Sequence, residues 1–368
     1  MASSDYAHEL HIAQLAVQRA AILTQRVQAT TSKGTLSKSD HSPVTIGDFG
    51  AQALIIAALR HNFHSDQIVA EEEADDLRNN ESLREKVWSY VKETKLDDRE
   101  SEEKLGSGLK DVDDMLNVID LGKSKGGRSG RVWTLDPIDG TKGFLRMGQY
   151  ALALALMVDG DVKVGVLGCP NLPVDDTAPL DADIGKDQTS GGEGKGVLEA
   201  AVLGQGAFSR PLTTGALAKE RKISMSKVEK VTDATFCESV EAAHSNHGDQ
   251  ADIAKALGIT RESVRMDSQA KYASIARGAG EIYLRLPVSK TYVEKIWDHA
   301  AGDLIVREAG GMVTDVNGKR IDFGTGRTLT ENKGFVAAPS QLHATILSAV
   351  QKVLGAKSDW EIVEKQTL

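Results

Sequence analysis

The sequence predicts a layered α+β fold. Three observations carry that prediction: apolar residues recur at helical spacing near the N-terminus and again after Trp297, β-type apolar runs are joined by a hairpin signal at Asp159-Gly160-Asp161, and the two kinds of segment are mixed rather than strictly alternating. Such mixing argues against a regular βαβ array. At 368 residues the chain exceeds a single small core, so two packed subdomains or one large sandwich are expected.

Over residues 6–27, Leu10, Ala13, Val17, Ala20, Leu23 and Val27 repeat every three or four positions and predict one amphipathic helix, with Gly34 closing the region. Residues 38–45 are expected to form a loop in which Pro43 holds Ser42 extended. Asp48 then opens a second helix with its body at 51–59. A short buried strand at 68–70 runs into Glu71-Glu72-Glu73, and the charged stretch 84–106 reads as a solvated helical excursion. Residues 133–135 predict a strand followed by a turn at 136–141. The runs 150–158 and 162–167 form the hairpin, because Asp-Gly suits positive φ. Pro, Asp and Gly accumulate over 170–196, which places a mobile loop at 171–196 between an N-terminal subdomain, 1–170, and a C-terminal one, 197–368. Strand character resumes at 197–208 with a turn at 204–206. Helices are expected at 251–257 and 272–277, and a strand at 282–286 stops at Pro287. Trp297-Asp298-His299 opens a helix that runs to Ala309 and ends at Gly310-Gly311, before a strand at 312–315.

Lys and Arg total 44 against 53 Asp and Glu, a net charge of −9, which is the wrong sign for a protein that lives on nucleic-acid backbones. Surplus carboxylates suit divalent cations instead. Cys169 and Cys237 cannot build a disulfide framework and neither has zinc-site spacing. The opening MASSDYAHEL lacks the features of a leader, and no apolar run reaches the about 18 residues of a membrane span. A soluble, cytoplasmic protein with no nucleic-acid or membrane partner is expected, and a monomer.

Acidic residues mark the ends of predicted elements: Asp48, Glu71, the Asp136/Asp139 pair and Asp298. Mg²⁺ takes oxygen ligands and keeps several waters, so a few carboxylates and a substrate phosphate suffice. Asp136 and Asp139 flank Pro137, whose fixed φ stiffens the turn and lets both carboxylates and the Ile138 carbonyl converge. Two ions roughly 3.5 to 4 Å apart would acidify a water and stabilise the leaving oxygen of a phosphoryl displacement. Gly140 permits close approach to a phosphate and Thr141 offers its hydroxyl and N–H. Each residue also has a plainer reading. Asp48 and Asp298 suit helix N-caps, Glu71 to Glu73 a solvated acidic run, and Asp-Pro and Asp-Gly ordinary turns. Only the longer strings in which they sit favour the chemical reading.

Those strings resemble a known family. Val69-Ala70-Glu71-Glu72, the run from Trp133 through Asp136-Pro137-Ile138-Asp139-Gly140 to Thr141, and Trp297-Asp298-His299-Ala300-Ala301-Gly302 are similar, in the same order, to the signatures of the lithium-sensitive, magnesium-dependent phosphomonoesterases that include inositol monophosphatase. Within that superfamily the segments 38–45, 141–146, 267–272 and 283–287 resemble the 3′(2′),5′-bisphosphate nucleotidases of fungi and plants. The resemblance implies an αβαβα sandwich of the inositol monophosphatase/fructose-1,6-bisphosphatase type. It also implies hydrolysis of adenosine 3′,5′-bisphosphate to AMP and phosphate, with the 3′-phosphosulfate donor of sulfur assimilation as a second substrate; inositol polyphosphate 1-phosphatase is the alternative.

Carried over by motif, Glu71, Asp136, the Ile138 carbonyl, Asp139 and Asp298 would bind two or three Mg²⁺ ions. Asp48 and Thr141 would orient and deprotonate the attacking water. Thr141, His244, Ser268, Lys271, Arg285 and Asp298 would contact the nucleotide. A second phosphate needs cationic donors away from the metals, which suits Lys271 and Arg285; their plainer reading is a surface ion pair. His244 and His247 have helical metal-pair spacing, but no third ligand for zinc is visible. Glu73 stands where the family usually has Ser or Asp, a departure that would alter a peripheral third metal position without removing Glu71.

Overall fold

The computed structural model describes residues 5–32, 42–177, 194–240, 247–287, 289 and 291–356. Two long helices come first, α1 (Ala7–Ser32) and α2 (Ser42–Asn62), packed on one another. Pro43 falls in the first turn of α2, where its missing N–H has no intrahelical acceptor to lose. The helix therefore begins before Asp48, which lies inside it rather than at its cap, and residues 42–45 are not loop; residues 33–41 lie outside the described part. Strand β1 (Gln67–Ala70) leads to four short helices, α3 (Asp75–Asn79), α4 (Glu81–Glu93), α5 (Arg99–Lys104) and α6 (Val112–Asp120). The charged excursion is thus not simply solvated: Val87, Val91, Leu96 and Leu105 are buried in the core that surrounds α2, and Glu102 turns inward to pair with the buried Arg19.

Strands β2 (Arg131–Asp139), β3 (Ala151–Val158), β4 (Asp161–Pro173), β5 (Lys195–Val202), β6 (Gly206–Pro211) and β7 (Arg221–Ile223) follow, with α7 (Thr141–Leu145) between β2 and β3. Together with β1 they form a seven-stranded sheet in sequence order, antiparallel except for the β1/β2 pair. The expected hairpin is present: Val158 pairs with Asp161, and Asp159 and Gly160 both take positive φ, 52° and 81°.

The expected subdomain boundary is not where the loop composition placed it. β4 runs on through Pro173 and pairs with β5, so one sheet crosses that segment, of which 178–193 lie outside the described residues. The change of sheet falls later, between β7 and β8 (Phe236–Glu238). The remaining elements are α8 (His247–Leu257), β9 (Val264–Arg265), α9 (Ala270–Ala276), β10 (Ile282–Arg285), α10 (Ala300–Glu308), β11 (Gly311–Thr314), β12 (Phe335–Pro339) and α11 (Ser340–Gly355). Their five strands form a second sheet in the order β11, β12, β10, β8, β9.

The layers follow from which faces are apolar. β3 is buried along nearly its whole length because its sheet is covered on both faces, by α1 and α2 on one and by α9 and α10 on the other. α9 and α10 also contact the second sheet, whose far side carries α8 and α11. The result is the αβαβα sandwich. Its central helix layer sits close to its neighbours: a Cβ on Gly165 of β4 would come 2.9 Å from the Ala301 carbonyl oxygen, and one on Gly302 would come 2.3 Å from Tyr272 Cδ2.

Gly302→Ala is expected to cost about 2–3 kcal/mol, because the buried Tyr272 ring has no room to retreat. Chemical denaturation checks this, and a loss below about 0.5 kcal/mol contradicts such close packing.

Candidate active site

The parallel pairing of β1 with β2 sets Ala70 opposite Leu135, so Glu71 leaves its strand beside Asp136, close enough for the Glu71 charge to act on it. Beyond Asp136 the sequence suggested a turn; the structure instead continues the strand through a bulge. Asp136 pairs with Ala153 and Asp139 with Ala151, so one extra residue sits on β2 at Pro137-Ile138. Pro137 has no N–H to offer a ladder, and the Ile138 N–H turns back to Asp136 Oδ1 at 3.1 Å. The bulge thereby brings Asp136 and Asp139 onto the same cleft.

Gly140 follows at φ 90°, and a Cβ there would come 2.7 Å from Ser268 Cβ, so both its backbone conformation and the approach of the second loop require glycine. Ser268 itself adopts φ 68°. Asp139 Oδ2 accepts the Gln269 N–H at 2.6 Å, and Arg146 pairs with Asp267, so the loop ahead of α9 is tied to the β2 turn twice. Thr141 opens α7. Asp298 precedes His299, the N-cap of α10, so Asp298 is not the helix cap.

Glu71, Asp136, Ile138, Asp139, Thr141, Ser268, Lys271, Arg285 and Asp298 all line one cleft of about 590 Å³. Asp48 does not line it. It is buried behind, facing the charges of Glu72 and Glu71, and no hydrogen bond joins it to Thr141 among the described contacts. His244 lies outside the described residues.

The electrostatics of the cleft follow from its burial. Burial pushes the carboxyl groups of Asp48, Glu71, Asp136, Asp139 and Asp298 above their ordinary range, and mutual repulsion adds to it: Glu71 and Asp139 act on Asp136, Asp139 and Glu71 on Asp298. Glu72 is pushed up to about 7 by burial and by Glu71. Compensation is partial, from Lys295 near Glu71 and from Lys271 and Arg285 near Asp139. A group of buried, mutually repelling oxygen donors fits hard dications such as Mg²⁺.

The opposite wall is cationic. Lys271 is buried, donates to the Met266 carbonyl at 3.3 Å and lies 5.2 Å from the centre of the Tyr283 ring; burial brings its ammonium down to about 8. Arg285 is not a surface ion pair. Its Nε donates to Glu294 at 2.9 Å in a buried bridge. His299, pulled down by burial, is neutral at neutral pH; with a proton on Nε2 it donates to Glu294 at 3.4 Å and accepts the Tyr272 hydroxyl on Nδ1 at 3.0 Å. Burial alone would raise Glu294, but the hydrogen bond from His299 and the Arg285 charge hold it at about 2. Donor atoms of Glu294, Asp298 and His299 lie within 4.8 Å of one another, yet Glu294 is already committed to Arg285. Sequence reading missed Glu294, Tyr272 and the backbone role of Gln269. Nothing local told Glu294, four residues before Asp298, from a surface glutamate.

Comparison with known proteins accords with this geometry. The model of the inositol monophosphatase family matches residues 6–354. The chain belongs to that family. Its members are magnesium-dependent phosphatases acting on small phosphate-bearing molecules. A 3′(2′),5′-bisphosphate nucleotidase of Emericella nidulans is 62% identical over 95% of this chain and 99% of its own, and one of Schizosaccharomyces pombe is 48% identical over 94% and 95%. A rice relative of the same name is 44% identical over 96% of each chain. Among solved structures, Mycobacterium tuberculosis SuhB shares the fold with a TM-score of 0.57 at 18% identity, covering 96% of this chain and 100% of that one. Among the described residues, no helix is long and apolar enough to cross a membrane.

Glu294→Gln is expected to destabilise the protein by about 3 kcal/mol at pH 7, since it leaves Arg285 buried and unpaired. A carboxyl group held at about 2 in the folded state stabilises above its unfolded value and ceases to as pH falls. The gap between variant and wild type therefore narrows from pH 5 toward pH 3. Denaturant titrations across that range check it; a pH-independent gap contradicts it.

Proposed function

We propose that this phosphatase removes the 3′-phosphate of adenosine 3′,5′-bisphosphate to give AMP and phosphate, and acts likewise on the 3′-phosphosulfate donor of sulfur assimilation. The single observation that carries the reading is the juxtaposition in one cleft of the buried acidic wall with Lys271 and Arg285. One wall suits Mg²⁺ and the ester to be broken. The other offers two cations to a second phosphate, which a monophosphate substrate lacks. The named activity of the similar fungal and plant proteins supports the same substrate.

In this reading Glu71, Asp136, the Ile138 carbonyl, Asp139 and Asp298 would hold two or three Mg²⁺ ions. Bound there, Mg²⁺ supplies positive charge to the phosphoryl oxygens and lowers the pKa of water. The protein's own groups do the rest. Gly140 lets the backbone close on the phosphate, while Thr141 presents its hydroxyl from the start of α7. Asp48 accepts from that hydroxyl, which in turn accepts a hydrogen bond from the attacking water. The two are not bonded to each other in the structure, so the relay requires Asp48 and Thr141 to come within hydrogen-bond reach when the site is filled. Ser268 and His244 contact the nucleoside; Lys271 and Arg285 bind the 5′-phosphate, with Arg285 aimed by Glu294.

Phosphate release from a substrate panel with Mg²⁺ tests the reading. Expected are a kcat/KM for adenosine 3′,5′-bisphosphate at least tenfold above that for inositol 1,4-bisphosphate, inhibition by millimolar lithium, and a loss of at least 10³-fold in Asp136→Asn with its fold retained. Preference for the inositol phosphate, or near-normal turnover by the variant, contradicts it.

A further inference from the structure

One arginine outside every motif contacts the residues that immediately precede Glu71 and Asp298. Arg327 follows Gly326, itself at φ 102°, in the stretch leading to β12. Its Nη2 donates to the Ala70 carbonyl at 2.7 Å, and its Nη1 to the carbonyls of Gly122 and Ser124 at 3.0 and 3.1 Å. Ala70 is the residue immediately before Glu71. The same guanidinium lies 4.9 Å from the centre of the Trp297 ring, and Trp297 immediately precedes Asp298. The backbone reinforces the arrangement: the Arg327 carbonyl accepts the Ile296 N–H at 3.2 Å, and the Leu329 N–H donates to the Glu294 carbonyl at 2.9 Å.

This is an unusual use of a guanidinium. Its hydrogen bonds among the described residues go to main-chain carbonyls and none to a carboxylate, although Glu73 acts on it electrostatically. The planar fork spans carbonyls of two separate segments while its face covers an indole, a combination that lysine cannot reproduce. β1 is the edge strand of the first sheet, held on its free side by the 122–124 segment through the Ala70 N–H to Gly122 and the Ser124 N–H to Ile68. Asp298 comes from the turn that enters the central helix layer. Nothing in the chain's order fixes the distance between these two ends.

We propose that Arg327 is a positioning residue for the metal centre, holding Glu71 and Asp298 at the separation at which both reach the same ions. The inference rests on the metal-binding reading of those carboxylates. Removing an outer-shell group of this kind typically lowers metal affinity by about 10- to 100-fold.

Calorimetric titration of the full chain with Mg²⁺ alone, without substrate, tests the proposal. In Arg327→Met and Arg327→Lys the Kd for Mg²⁺ is expected to rise at least tenfold, with kcat recovering toward wild type at saturating Mg²⁺. Arg320→Lys is the control, because Arg320 of the same stretch pairs with the buried Asp303 and does not touch the cleft; its Mg²⁺ affinity should stay within twofold. If Arg327→Met does not fold, Trp297→Leu removes the stacked ring alone and is expected to weaken Mg²⁺ binding in the same direction. Arg327 variants that bind Mg²⁺ within twofold of wild type overturn the proposal while leaving the metal-binding reading intact. A wild-type protein that takes up no Mg²⁺ overturns both.

Discussion

Burial of like charges in one place is the constraint on which this structure turns. Glu71, Asp136, Asp139 and Asp298 line a single cleft, Asp48 and Glu72 lie close behind, and burial raises every one of them against its own ionised form. Such a set is costly unless protonated or neutralised by cations. The fold supplies the rigidity that holds them there: a parallel strand pair sets Glu71 beside Asp136, a proline-containing bulge re-aims Asp139, and the central helix layer presents Asp298. The acidic wall and the sheet pairing are therefore one piece of architecture, in which the strain of the first is borne by the packing of the second.

The cationic wall is organised by the same logic in reverse. Lys271 rests against Tyr283 and Arg285 is clamped by Glu294, which His299 and Tyr272 hold in turn. A long, flexible arginine is thus fixed before any ligand arrives, so less entropy is lost on binding. The two walls are joined at Asp139, whose carboxylate accepts the Gln269 N–H while feeling the charge of Lys271. Changes on the second-sheet side are accordingly expected to reach the acidic side through that contact.

Some of this was readable from residue order and some was not. The Asp159-Gly160 hairpin was, because positive φ at two successive positions is a local demand that few residue pairs meet. The acidic strings around Glu71, Asp136 and Asp298 were, because each lies within a few residues of its own element. The start of α2 was misplaced at Asp48: Pro43 signals a break as readily as a first turn, and only the packing of α2 against α1 decides. The Pro137 turn became a bulge because the pairing partner, β3, continues past it. The subdomain boundary was placed at a loop rich in Pro, Asp and Gly, whereas sheet membership depends on pairing between strands that the loop merely connects. Glu294 and Arg327 had no local mark, since their meaning lies wholly in partners distant in space or sequence.

The central claim, that the carboxylates share their burial and await cations, is tested most directly by counting protons released when Mg²⁺ binds. Calorimetry at pH 6 in buffers of different ionisation enthalpy gives that number. Carboxyl groups raised by burial and mutual repulsion keep protons more readily than free ones and must surrender them to a dication, so the account predicts net proton release on Mg²⁺ binding. Binding heat that is the same in every buffer, meaning that Mg²⁺ displaces no proton, would contradict it.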